Sequence, residues 1–225
     1  MDTQKNNSLS GLISNPSTNK KQKSNKIESF NRISAHYYLS DNDYFMMLKT
    51  MLTVPSIPKD TTGNYKLYLF PALQARTGGI LKPMLFFDSN RSSWFLRTLA
   101  SAPSGSSVPH QQGVDYAIPE GTEVTAVIKL IKQTTSGLYT YKVYFEDYPE
   151  ETSCKQTWND PASFAFEVFE PDSVTKEAQY PEERFFIMAD IELITNHGLA
   201  REGLWETYDF NVHYLTNNSI TFGPL

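Results

Sequence analysis

The chain has 225 residues, 40% hydrophobic and 13% aromatic, with a formal net charge of −5 and one cysteine, Cys154. Its 14 Phe and 13 Tyr are enough to build a sizeable core, so a wholly disordered chain is excluded. The acidic balance gives no support to nucleic-acid binding, a single cysteine allows no intrachain disulfide, and no run approaches a membrane helix.

Residues 1–34 are rich in Asn, Ser and Lys and nearly free of aromatics. They read as a disordered tail, because they bury too little apolar surface to offset ordering. Its basic run, KKQKSNK, reads as solvated charge. The N-terminus shows no apolar signal core, so cytoplasmic residence is the default expectation.

From Ala35 to Leu225 the pattern is nearly all strand. YFMMLKTMLTV leads through the polar punctuation PSIPKDTTGN to YKLYLFPAL, then GGILKPMLFFD and SSWFLRTLA. After the loop SAPSGSSVPHQQG, the segments TEVTAVIKLIKQ and LYTYKVYFED predict a hairpin closed by TTSG. SFAFEVFE, RFFIMADIELIT and YDFNVHYL supply the remaining strands, and EAQYPEER one helical turn. Short strands between Pro and Gly clusters predict an all-β fold, a two-sheet antiparallel β-sandwich of the lectin-like kind.

In DPASFAFEVFEP, alternation places Ala162, Phe164, Phe166 and Val168 on one face. Ser163, Ala165, Glu167 and Phe169 form a mixed second face, which reads as either bland surface or the floor of a site. ILKPMLFF poses the same question, being apolar throughout apart from Lys82. The common catalytic motifs are missing, and the four histidines show no metal-ligand spacing, so neither metal nor cofactor is expected.

The order of TVP (53–55), YKLYLFPAL, GGILKPMLFF, SSWF, the Pro-x-Gly before TEVTAVIKL, and PASFAFEVFE resembles the glutamic peptidase family (eqolisins). The resemblance implies a sandwich of two packed antiparallel sheets, with a Gln and a Glu activating water on a concave sheet face. It places Lys82 at the catalytic Gln, Ser163 at the catalytic Glu, Tyr68 at a tryptophan and Trp94 at a matching tryptophan. Ser163 cannot act as a general acid. The resemblance therefore implies a non-catalytic binding or structural protein with a peptide, protein or saccharide partner in an aromatic-lined cleft.

Two alternatives stand beside it. One is a divergent hydrolase using Lys82 with Ser163, or Glu167 as its acid. The other is a carbohydrate-binding lectin. Within the cleft, Lys82 and Glu167 would pair to shield each other, or Lys82 would snorkel to solvent with Glu167 exposed. No nucleic-acid or membrane partner is expected, and the sequence leaves the oligomeric state open.

Overall fold

The computed structural model describes residues 32–102, 109–183, 185–200, 205–207, 212–216 and 218–223. In chain order the strands begin with β1 (Ile33–Tyr38), β2 (Phe45–Thr53), β3 (Lys66–Ala75), β4 (Ile80–Asp88) and β5 (Ser93–Ser101). Next come β6 (Gln111–Gln112), β7 (Tyr116–Ile118), β8 (Glu123–Gln133), β9 (Tyr139–Phe145) and β10 (Cys154–Trp158). The series closes with β11 (Ala162–Asp172), β12 (Phe186–Thr195), β13 (Gly198–Leu199), β14 (Val212–Thr216) and β15 (Ser219–Phe222).

They form two antiparallel sheets. The seven-stranded sheet runs β1-β11-β3-β4-β5-β6, with β7 also on β5. The eight-stranded sheet runs β10-β9-β8-β2-β12-β15-β14, with β13 on β12. The β8–β9 hairpin closes as its sequence predicts: Gly137 takes φ +80°, and the Gly137 and Thr134 amides bond to the Thr134 and Leu138 carbonyls. The helical turn read in EAQYPEER is a short 3-10 turn at Glu177–Gln179.

Alternation along the strands builds the core between the sheets. β2 sends Phe45, Leu48 and Leu52 inward, and β8 sends Val124, Ala126 and Ile128. β3, β4 and β11 answer from the other sheet with Leu69, Leu73, Leu81, Leu85, Ala165 and Phe169. A second apolar layer lies on the outer face of the seven-stranded sheet, built on Phe70, Ala72, Met84, Phe166 and Val168. The central strands of that sheet are therefore buried on both faces.

The predicted tail boundary shifts. Residues 1–31 lie outside the described residues, but Ile33 and Ser34 already belong to β1, paired with Phe169 and Val168. Of ISAHYY, only Ile33 and Ser34 fall within the polar tail read from composition; Ile33, Ala35 and Tyr37 alternate into the core. The short strands β10 and β15 were also not anticipated from the sequence.

Two prolines stand in central strands, where a ladder amide is lost. The register on either side, Leu69 opposite Leu85 and Leu73 opposite Leu81, sets Pro71 opposite Pro83. No ladder pairs occur between these points, so the β3–β4 ladder opens beside Lys82.

Candidate functional site

The two faces of β11 are the reverse of the sequence expectation. The mixed face, with Ala165, Glu167 and Phe169, looks into the core between the sheets rather than into a cleft. The oily face, with Phe164, Phe166 and Val168, forms the outer layer. Counting apolar side chains could not separate them, because both faces of this central strand are covered.

Glu167 is 0% exposed, and Thr50 of the opposite sheet donates its hydroxyl to the carboxyl at 2.6 Å. Its second oxygen, Oε2, has no hydrogen-bond partner among the described residues. Burial pushes the carboxyl up to about 8, with the Thr50 hydrogen bond opposing that rise. The exposed alternative for Glu167 is thereby corrected.

Lys82 lies on the opposite side of the sheet. Its ammonium sits 5.0 Å from the centre of the Phe70 ring, so no Lys82–Glu167 pair forms. Register places Lys82 in one cross-strand row with Leu99, Ala72, Phe166 and His36. The β11 residue beside Lys82 in this row is thus Phe166, not Ser163. Burial lowers the lysine's pKa, Glu170 opposes that shift, and Arg32 reinforces it. Among the described residues, no carboxylate lies within ion-pair distance of Lys82.

Ser163 occupies a register shift between Ala162 and Phe164, where strand pairing slips. It is 2% exposed; its hydroxyl donates to the Pro161 carbonyl at 3.4 Å, and no hydrogen bond joins it to Lys82. Trp94 is also interior: it packs on Phe87 and donates its indole N–H to the Ser56 carbonyl at 3.3 Å. Tyr68 does reach the outer face, stacked on Phe86 at 5.9 Å. The fold therefore brings Tyr68 and Lys82 to one face and separates both from Trp94 and Glu167.

The outer face holds features missed in the sequence. Phe86 stacks between Tyr68 and Phe95, extending the aromatic floor beyond Phe70 and Phe166. Five cations lie over these rings. Arg32 stands over Phe166 at 6.0 Å, Arg76 over Phe164 at 5.7 Å and Lys82 over Phe70 at 5.0 Å. Arg97 stands over Phe86 at 4.6 Å and Arg91 over Phe95 at 3.6 Å. The signal was present as alternating aromatics at 68, 70, 164 and 166, with basic residues on neighbouring strands.

Most of these charges are neutralised locally. Arg97 bonds Asp115 through Nη2 at 2.7 Å, Arg91 bonds Asp88 and Asp115, and Arg76 pairs with Asp41. The two arginines hold the Asp115 carboxyl below its ordinary range, Arg97 contributing most. Lys82 and Arg32 have no ion-pair partner among the described residues. At the edge, the outward side chains of β1 form a polar chain: Ser34 Oγ to His36 Nε2 at 2.7 Å, and His36 Nδ1 to the Tyr38 hydroxyl at 2.9 Å.

A separate cavity of about 490 Å³ lies elsewhere, lined by Val54, Pro55, Glu120, Glu183, Phe185 and Ile187. Among the described residues, no three His, Cys, Asp or Glu side chains gather as a metal ion would require, and no helix is long and apolar enough to cross a membrane.

Two solved structures share this architecture. They are crystal structures of scytalido-glutamic peptidase, one with a peptide-based transition-state analogue and one with a transition-state analogue inhibitor. The TM-scores are 0.52 and 0.51, each at 9% identity, over 84% of this chain and 96% of the peptidase. No family model and no curated protein matches the sequence. The likeness is one of fold, a distant glutamic-peptidase-like sandwich.

Proposed function

We propose that this protein binds an extended peptide on the outer face of the seven-stranded sheet and does not cleave it. The observation that carries the reading is the cross-strand row His36–Phe166–Ala72–Lys82–Leu99. It sets a lysine and a phenylalanine on either side of Ala72 on an aromatic floor, with no carboxyl group in the row. Water activation needs a proton acceptor within hydrogen-bond reach of the water. Lys82 is a poor one while charged, and Glu167 is sealed on the other side of the sheet.

What remains is a surface suited to recognition. Aromatic rings supply broad contact area, and a few placed cations supply orientation. The fold likeness to a peptidase solved with a peptide-based analogue supports a peptide over other extended ligands. Tyr38, 45% exposed and edge-on to Phe164 at 5.6 Å, offers an entry to the aromatic layer at the sheet edge.

The reading is tested by passing a proteolytic digest of casein over the immobilised protein at acidic and neutral pH. A subset of peptides should be retained and recovered intact by mass spectrometry, and Tyr38→Ser with Phe164→Ser should abolish retention. New cleavage products from the wild-type protein, or no retention at either pH, would overturn it.

A further inference from the structure

We infer that Lys82 and Arg32 form an anion subsite that selects peptides carrying a carboxylate beside an apolar residue. This rests on the peptide-binding reading and adds the class of peptide.

Among the five cations over the aromatic floor, Arg76, Arg91 and Arg97 each have a carboxylate of this chain as partner. Among the described residues, Lys82 and Arg32 have none. They stand over the rings of Phe70 and Phe166, which belong to the neighbouring strands β3 and β11. Burial is the main cause of the lysine's lowered pKa; Glu170 opposes it, and Arg32 adds a smaller lowering. Both heads thus stand over rings of one apolar layer, and among the described residues neither has an ion-pair partner, Glu170 lying beyond ion-pair distance of Lys82.

Such an arrangement is unfavourable in the free protein. A partly desolvated ammonium loses hydration and gains only a ring face in exchange. A carboxylate between the two heads would answer both charges with charge-assisted hydrogen bonds. The surroundings set what accompanies it. Leu99 flanks Lys82 in the row, and Phe164 and Tyr38 lie on the β11–β1 side. An aliphatic or aromatic side chain next to the acidic residue would cover these groups. Glu170 supplies the opposing field on Lys82 and limits how much negative charge the site accepts.

The test is selection from a library of random dodecapeptides displayed on phage, run in parallel on the wild-type protein, Lys82→Met and Arg32→Gln. Methionine keeps an apolar stem over Phe70 and removes only the charge. The wild-type pool should be enriched in Asp and Glu, and a synthetic acidic hit should bind about tenfold more tightly than its Gln analogue. Lys82→Met should abolish that preference and Arg32→Gln should weaken it. The preference should also shrink as salt rises from about 0.05 to 0.5 M. A retained pool without acidic bias, or a bias that survives in Lys82→Met, overturns the subsite and leaves the peptide-binding reading standing. Recovery of no peptide from the wild-type protein overturns both.

Discussion

Thr50 of one sheet donates its hydroxyl to Glu167 of the other at 2.6 Å, so the sole polar partner of a fully buried carboxyl among the described residues comes from across the core. The bond ties β2 to β11 at a level where the other inward residues are aliphatic or aromatic. Because Oε2 has no partner, ionisation of this group would place an almost uncompensated charge in the core.

The first prediction is a pH dependence. The folded carboxyl titrates at about 8, against 4.5 as its ordinary value, so the folded protein holds a proton at neutral pH that the unfolded chain has released. Stability is therefore greatest on the acid side and falls as pH rises from about 4.5 to 8. At about 1.36 kcal/mol per pH unit, the full effect is bounded at roughly 5 kcal/mol. Glu167→Gln should flatten this slope in urea unfolding measured across the window. An unchanged slope would place the titration elsewhere.

Thr50→Val should destabilise the fold by about 1–3 kcal/mol, since it leaves both carboxyl oxygens without a partner. The loss should be larger at pH 8.5 than at pH 5, because the hydroxyl stabilises the ionised carboxylate most. Thermal unfolding at the two pH values measures the difference. Equal losses would contradict the role given to this hydrogen bond.

Much of the fold was legible in the sequence because its cues are local. TTSG between two alternating runs gave the β8–β9 hairpin, and Gly137 takes the positive φ that such a turn needs. The site was less legible. Lys82 stands out in the sequence as a polar residue in an oily strand, and in the fold Tyr68 shares its face. Glu167 and Trp94 point the other way, because alternation says which residues share a face, not which face meets the second sheet. Ser163 fell at a register shift, which period-two counting cannot foresee. The pairing of Arg97 with Asp115 joins β5 to the loop before β7, and no short-range pattern announces it.

Gly113 supplies a third prediction. A Cβ at this position would stand 2.1 Å from the Thr152 carbonyl oxygen and 2.6 Å from Thr98 Oγ1, both closer than real contacts allow. The Gly113 amide also bonds the Thr98 carbonyl at 3.0 Å, so the backbone has little freedom to retreat. Gly113→Ala should lower stability by about 2–3 kcal/mol through overpacking. A urea midpoint within error of the wild type would show that this loop yields.

The unpaired state of Lys82 makes a fourth. Its pKa is lowered chiefly by burial, so in the folded protein its charged form is disfavoured relative to the unfolded chain. Stability should rise as pH climbs through the folded lysine's pKa toward its ordinary 10.5, where the penalty is gone. Lys82→Met should raise stability at pH 7 by about 1 kcal/mol and remove that alkaline rise. Chemical denaturation at pH 7 and pH 10 measures both effects, and a destabilised Met variant would show that the contact with Phe70 outweighs the lost hydration.

The face that receives the peptide is the most direct point of test. A peptide recovered intact from the immobilised protein, carrying a benzophenone group, should photo-cross-link to Tyr38, Tyr68, Leu99 or Phe164 on the outer face of the seven-stranded sheet, as read by mass spectrometry of the digested adduct. Cross-links confined to the eight-stranded sheet, or to Val54, Phe185 and Ile187 around the separate cavity, would contradict it.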